Sequence, residues 1–302
     1  MHPLVSVVMA TYQGEKYLEI QIESLLAQDY PNLEFIWVDD ASTDQSLSIL
    51  KKYAHQDTRI HILENLINEG HNAAFEKGMK AANGAYIALS DQDDYWVSSK
   101  ISTLVHGIGN CSLIYSDSQL INQDGRTLPI KMSNLKRQIP YSSPLMYTFG
   151  AWAPGHTMLF KKDLLETALP LSHWVTHDYL LGFSATCHDG IAYIPLLLVH
   201  YRQHESNAIG ADLKKAKKLY ATREERKLRI CERVNLLAKR CRGVKEKVIF
   251  EQLYRDFSGN SLAHKLRRFK TVLKYREDML AYKGKSSLGN FFYCFKLLVG
   301  IY

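Results

Sequence analysis

Asp91, Asp93 and Asp94 fall within four positions of Ser90-Asp91-Gln92-Asp93-Asp94-Tyr95-Trp96. Crowded carboxylates raise one another's pKa unless a cation lies among them. Asp-x-Asp suits a hard ion such as Mg or Mn, which takes one or two protein carboxylates and fills its other positions with substrate phosphates and water. The competing use is a solvated acidic turn that caps the next helix. Two further acids, Asp39 and Asp40, close a second apolar run, and Ala10-Thr11-Tyr12-Gln13-Gly14 closes a third.

The elements that must position these groups follow from periodicity. Leu4 to Met9 reads as a buried strand, and a helix of about Lys16 to Ala27 follows it. Leu33 to Val38 is a second strand. Ser42 and Gln45 have capping-box spacing, which predicts a helix of about Asp44 to Tyr53. Ile60 to Leu63, a helix of about Asn72 to Ala82, and the strand Tyr86 to Leu89 complete a β-α-β-α-β-α-β order. Such alternation predicts an α/β fold with a doubly wound, mostly parallel sheet, because parallel neighbours need crossover connections. Ligands of such sheets bind beyond the carboxyl ends of the strands, where Thr11, Asp39, Asp40, Asp91 and Asp93 all fall. Neither Gly-x-Gly-x-x-Gly nor Gly-x-x-x-x-Gly-Lys occurs, so the usual glycine-rich phosphate cradles are absent and a metal is left to do the phosphate work.

Composition sets the outer limits. The 302 residues, 46% hydrophobic and 23% charged, suffice for one large or two modest domains. Five scattered cysteines, Cys111, Cys187, Cys231, Cys241 and Cys294, form no Cys-x-x-Cys pair, which predicts neither a disulfide framework nor a zinc site and fits a reducing compartment. No basic leader precedes an apolar core at the N-terminus, and no apolar run reaches the roughly 20 residues of a bilayer span. From Asp212 onward 24 Lys and Arg stand against 9 Asp and Glu, leaving 14 against 22 before it. An acidic front half is a natural host for a cation and a poor one for nucleic acid, whereas a basic tail fits an anionic membrane surface or a polyanionic partner.

Taken together, Val5 to Tyr12, Val38-Asp39-Asp40-Ala41-Ser42-Thr43-Asp44, Asn68-x-Gly70 through Ala74 to Gly78, and Ser90 to Trp96 resemble the bacterial family 2 inverting glycosyltransferases, which have a GT-A nucleotide-sugar-binding fold. Gly155-His156-Thr157-Met158, Thr176-His177-Asp178-Tyr179 and Tyr201-Arg202-Gln203-His204-Glu205-Ser206-Asn207 are similar to a subset that makes bacterial surface polysaccharides with rhamnose. The resemblance implies that Thr11, Tyr12, Asp39, Asp40, Asn68, Gly70 and Asp91 contact a nucleotide-sugar donor and that Asp93 binds Mn or Mg. Arg202 and His204 follow the apolar run Ile194 to Val199, where a cation and an imidazole suit neutralising a diphosphate or completing the metal shell; His200 offers the same imidazole chemistry. Inverting transfer needs one carboxylate to deprotonate the acceptor hydroxyl. Asp178 matches the family's acid, with His177 in place of the usual preceding Glu, although a helix cap is its alternative use. His177, Trp152 and Trp174 are expected on the acceptor side; Trp96 and Asp117 are further residues that could line it.

The resulting expectation is a glycosyltransferase domain over 1–210, with a nucleotide-sugar half at 1–100 and an acceptor half at 101–210, followed by a basic helical region at 211–302. Its acceptor would be a growing or lipid-linked glycan at the cytoplasmic face of the inner membrane. The mixed cations and aromatics of 264–270 and 291–302 resemble an interfacial helix, with packing on a partner chain as the competing use. A Mg-dependent nucleotidyltransferase and a non-catalytic scaffold are the rival functions.

Overall fold

The computed structural model describes residues 2–204, 222–284 and 286–298. Glu205, Ser206 and Asn207, the tail positions Leu213 and Leu219, and 299–302 lie outside the described residues.

The front of the molecule alternates as expected: β1 (Val5–Thr11), α1 (Glu15–Leu26), β2 (Leu33–Asp39), α2 (Ser46–Ala54), β3 (Ile60–Glu64), α3 (His71–Ala81) and β4 (Tyr86–Ser90). Then come β5 (Tyr95–Trp96), α4 (Lys100–Gly107), β6 (Leu113–Ile121), β7 (Thr127–Lys131), α5 (Met132–Leu135), β8 (Met158–Lys161), α6 (Leu165–Ala168), α7 (His177–Thr186) and β9 (Ile191–Arg202). The strands form one sheet in the order β3-β2-β1-β4-β8-β6-β9-β5, with β7 on β6. Its first four strands are mutually parallel, β8 runs antiparallel between β4 and β6, and β9 is again parallel to β6.

β1 explains why this sheet is covered on both sides. Val5, Val7 and Met9 join one apolar cluster with Leu18, Ile22 and Leu25 of α1, whereas Val8 joins the other with Phe75 and Met79 of α3. Alternate side chains of a continuous apolar strand therefore serve opposite layers, as a two-sided parallel sheet requires. Each fully buried aliphatic contributes about 1.5–3 kcal/mol. Register then fixes where the chemistry goes. Thr11 pairs with Asp39, Met9 with Ser90, and Asp39 with Glu64, so the turns after β1, β2 and β4 open on one edge.

The helices after 222 are α8 (Arg223–Arg240), α9 (Val244–Ser258), α10 (Leu262–Lys274), α11 (Arg276–Met279) and α12 (Ser287–Leu298). They are more deeply packed than a solvated basic tail would be. Val234, Leu237, Phe250, Leu253, Phe257, Val272 and Cys294 belong to the same apolar cluster as α7, and Phe183 meets Phe250 edge-on at 5.9 Å. Arg240 donates to the backbone carbonyls of Thr167, Leu169 and Pro170, which fixes the end of α8 to the loop after α6. Part of the basic charge is thus structural.

Three expectations are corrected. The Ser42–Gln45 capping box does not form, because the Ser42 hydroxyl accepts from the Gln13 N–H and the Asp44 carboxylate takes the Ser46 N–H, starting α2 at Ser46. Asp117 lies within β6 rather than after a strand, and its buried carboxylate accepts from the Ser118 and Ser133 N–H groups away from the cleft. Trp96 is fully buried core.

Candidate active site

A cleft of about 440 Å³ opens at the carboxyl edge of the front strands. Its walls include Thr11, Tyr12, Asp40, Asn68, Gly70, Asp91 and Asp93 on one side and Trp152, Thr176, His177 and Asp178 on the other.

The first side is made of strand-end turns tied to one another by side-chain amides. Gln92 accepts from the Tyr12 N–H at 2.8 Å and donates to the Tyr12 carbonyl at 3.0 Å, locking the turn after β1 to the acidic loop. The side-chain oxygen Oε1 of Gln13 accepts from the N–H groups of Thr43 and Asp44. Asp40 is occupied in the same way: its oxygens accept from Asn65 Nδ2 and from the Glu69 and Gly70 N–H groups, at 2.7, 2.9 and 2.8 Å. Gly70 has φ +87°, a left-handed conformation that a side chain would resist, and it starts α3. Two polar atoms are left over. Thr11 Oγ1 and Asp39 Oδ1 are buried without a partner among the described residues, and buried polar atoms normally have one. Both belong to residues expected to meet the nucleotide, although Asp39 lies behind the cleft wall and its other oxygen accepts from Ser42 N–H.

Below them lies the acidic cluster. Enclosure by protein, with Asp93 and Asp178 nearby, pushes the Asp91 carboxyl up to about 7 even though 40% of its side chain is open to the cleft. Asp94 is fully buried; loss of hydration and the charges of Asp93 and Asp91 hold it well above the carboxylate range. One Asp94 oxygen accepts from the Arg202 N–H, and the other, Oδ2, has no partner among the described residues. Lys100 is buried beside them, donates to the His156 carbonyl at 2.6 Å and lies 2.9 Å above the Trp96 ring. Burial drives its ammonium well below the ordinary range while Asp94 and Asp91 pull it back. Burial and Lys100 likewise push His156 down to about 3, so its imidazole is neutral and able to donate a lone pair. Asp91, Asp94 and His156 each place one ligand atom within 4.8 Å of the others. Asp93 Oδ2 lies 2.8 Å from His204 Nε2, so the two residues expected to share a metal meet directly. Crowded carboxylates, a neutral imidazole and an orphaned buried carboxylate oxygen fit a divalent cation.

The opposite side rests on the N-terminus of α7. Asp178 Oδ1 accepts from the Thr176 hydroxyl and from the Tyr179 N–H, which fixes the rotamer and leaves Oδ2 without a protein donor among the described residues. His177 stacks on Phe75 with ring centroids 4.2 Å apart, and burial pushes its pKa down to about 4 against the pull of Asp178. Gly155 permits that position, since a Cβ there would stand 2.8 Å from His177 Nε2. Asn72 of α3 ties this segment to the front half, donating to the carbonyls of Ser172 and Val175 and accepting the His177 N–H.

Arg202, Trp174 and His200 are not cleft-lining. The Arg202 guanidinium donates to the Asp93 and Gln123 carbonyls and lies over Tyr17, so it shapes the acidic loop from behind. Trp174 stacks against His173, and His200 meets Tyr95 edge-on. Sequence reasoning passed over Gln92, Lys100 and Asn72. Gln92 sat in plain view inside the Asp-x-Asp, but the other two are single polar residues in helices whose importance comes only from what folds against them.

A model described as glycosyl transferase family 2 matches residues 6–167. Among curated proteins, the chain is 34% identical over 148 residues to the putative teichuronic acid biosynthesis glycosyltransferase TuaG of Bacillus subtilis, covering 48% of this chain and 58% of that one. It is 38% identical over 115 residues to the UDP-Glc:alpha-D-GlcNAc-diphosphoundecaprenol beta-1,3-glucosyltransferase WfaP of Escherichia coli, covering 38% and 45%. With the dTDP-rhamnosyl transferase RfbG of Shigella flexneri it shares 29% over 225 residues, covering 68% and 74%. The chain spans about half the length of the first two of these relatives. In fold it is similar to S. aureus TarS bound to UDP-GlcNAc, with TM-score 0.61 and 18% identity over 99% of this chain and 92% of that one. A mannosyltransferase, PcManGT from Pyrobaculum calidifontis in complex with GDP-Man and Mn2+, gives TM-score 0.54 and 16% identity over 100% and 81%.

Proposed function

Because the chain belongs to glycosyl transferase family 2, we propose that it moves a sugar from a nucleoside-diphosphate donor to a hydroxyl of a growing surface glycan, with inversion at the anomeric carbon. The observation that carries this reading is the convergence of Asp91 and Asp93 with Asp178 on opposite walls of one cleft. Inverting transfer needs a diphosphate held on one face of the anomeric carbon and a base beside the acceptor hydroxyl on the opposite face, and the cleft offers groups for both. Thr11 and Asp39, each with an unpartnered buried oxygen, suit the nucleoside, and Asp40 keeps the Asn68–Gly70 turn in place beside it. Asp91, Asp93, Asp94, His156 and His204 are the residues that would hold a Mg or Mn ion, whose chemistry when bound is to offset charge on the leaving diphosphate. The two hydrogen bonds to Asp178 Oδ1 aim its other oxygen at an incoming hydroxyl, whose proton it removes as the sugar bond forms. Trp152 and His177 wall the acceptor space.

WfaP, by its name, acts on a lipid diphosphate-linked sugar, and RfbG transfers rhamnose. For this chain a lipid-linked acceptor and rhamnose are the finer parts of the proposal. Residues 1–210 are taken as the catalytic unit and 211–302 as its basic helical buttress. Among the described residues no helix is long and apolar enough to cross a membrane. Leu262, Leu266, Leu288, Phe291, Phe292 and Phe295 are nevertheless exposed on α10 and α12, next to Lys265, Lys270 and Lys274. That pairing fits the anionic cytoplasmic leaflet. Flotation with phosphatidylglycerol vesicles checks it: Phe291→Ser/Phe292→Ser should stay in the soluble fraction, and equal flotation of both proteins removes the surface from the account.

Incubation with a panel of UDP-, GDP- and dTDP-sugars, with and without Mn, tests the activity. Release of a nucleoside diphosphate supports sugar transfer. Release of pyrophosphate in a parallel incubation with a nucleoside triphosphate and a sugar 1-phosphate identifies nucleotidyl transfer instead, and an inert protein that still binds partners through its tail identifies a scaffold.

A further inference from the structure

One charged residue, packed on a cleft wall rather than lining the cleft itself, has no place in the scheme above. Lys136, just after α5, holds its ammonium 3.8 Å above the ring of Trp152, which walls the acceptor space. The side chain is half-buried. Among the described residues no carboxylate lies within 4.0 Å of it and no acceptor takes a hydrogen bond from its ammonium. Burial pulls the ammonium below its ordinary range, and Asp178 is the charge that pulls it back. A half-dehydrated cation whose partner is an indole face and not an anion is costly, and direct pairing with Asp178 would blunt the base. An anion brought by the substrate resolves both.

We propose that Lys136, seated on Trp152, is an anion-reading subsite, and that the acceptor carries a phosphate or carboxylate close to the hydroxyl that is glycosylated. The inference rests on the glycosyltransfer reading of the cleft. The indole would take the apolar face of a sugar ring while the ammonium pairs with the acid beside it, and the pair would select charged acceptors over neutral ones. Two sources share this chemistry: the diphosphate of a lipid-linked acceptor and the carboxylate of a uronic acid.

Three probes separate them by calorimetric titration into the full chain: citronellyl diphosphate-linked N-acetylglucosamine, octyl β-glucuronide and octyl β-glucoside. Wild type should bind one of the anionic probes at least about tenfold more tightly than the glucoside, with the gap shrinking between 50 and 300 mM NaCl. Lys136→Met, which keeps the apolar stem, should lose that gap, and Lys136→Arg should keep it. Whichever anionic probe shows the gap names the source. The proposal is overturned if wild type binds all three alike or binds none at millimolar concentration. It is equally overturned if Lys136→Met retains the preference, or weakens the glucoside as much as the anions, as a merely structural residue would. These affinities need no turnover, so a failure to release nucleoside diphosphate sinks the transferase reading separately.

Discussion

The two walls of the cleft are built on different plans. The donor wall consists of turns that follow parallel strands at once, each polar group within a few residues of a buried apolar run, and its loops are tied by neighbours of the same kind: Gln13, Gln92 and Asp40. The acceptor wall is assembled from the segments 150–157 and 172–176 and the first turn of α7, held by one asparagine from α3 and backed by helices that begin after 222. Strand-end chemistry is inherited from the sheet. Loop chemistry depends on long-range contacts and should be the easier of the two to misalign.

The sharpest contrast is expected between Asp178 and Asp93, the two charges to which the proposed transfer gives different roles. Asp178→Asn should lower kcat about 10³-fold, since a positioned general base contributes 10²–10⁴. Donor affinity, read by titration with the nucleoside diphosphate, should not move. A fully active variant would remove Asp178 from the mechanism and leave the acceptor wall without a base. On the donor wall, Asp93→Asn or His204→Ala should weaken Mn and nucleotide binding together by about 10- to 100-fold, because the 2.8 Å pair between them orients both groups. If nucleotide binding falls while Mn binding holds, Asp93 is a direct donor contact and the cation lies with Asp91, Asp94 and His156.

Asn72 tests whether the acceptor wall depends on a tie to the donor half. Its side chain makes three hydrogen bonds to the 172–177 segment, each contributing about 0.5–1.5 kcal/mol net. Asn72→Ala should lower kcat about tenfold through a displaced Asp178 and leave the donor KM unchanged. A variant that loses only melting temperature would show the loop to be positioned by α7 and the helices behind it.

This difference between the walls also decides what could be read from the sequence. β2 and β4 announce themselves as short apolar runs ending in acids and β1 as one ending in Ala10-Thr11-Tyr12, and the parallel register brings Thr11, Asp40, Asp91 and Asp93 to the wall of one cleft. Arg202 looked equally convincing because charge and position match a diphosphate partner, but its guanidinium is used on the Asp93 and Gln123 carbonyls. Lys100 and Asn72 gave no local signal. Nothing about a lysine after Ser99 says that it will be buried against Trp96, and nothing in α3 says that Asn72 will reach a loop a hundred residues away. The tail was legible as basic and helical, yet its packing beneath α7 was hidden, since clustered Lys and Arg masked a spaced set of Val, Leu and Phe.

The smallest effect expected concerns His177, and it separates burial from catalysis on the acceptor wall. Its pKa stands near 4 in the folded protein and near 6.5 when unfolded. Between those values the unfolded chain binds the proton more tightly, so the stability this imidazole contributes is present above about pH 6.5 and is lost as pH falls toward 4. From pH 7 to 5.5 the loss should be about 1 kcal/mol, by linkage. His177→Gln, which has no proton to take up in this range, should unfold at a lower denaturant concentration at pH 7 but show a flatter profile between pH 7 and 5.5. The difference between the two profiles isolates this residue from the other eleven histidines. Should the profiles run parallel, the His177 imidazole is as solvated in the folded protein as in the unfolded chain, and the acceptor wall is as open to water as the turns that face it.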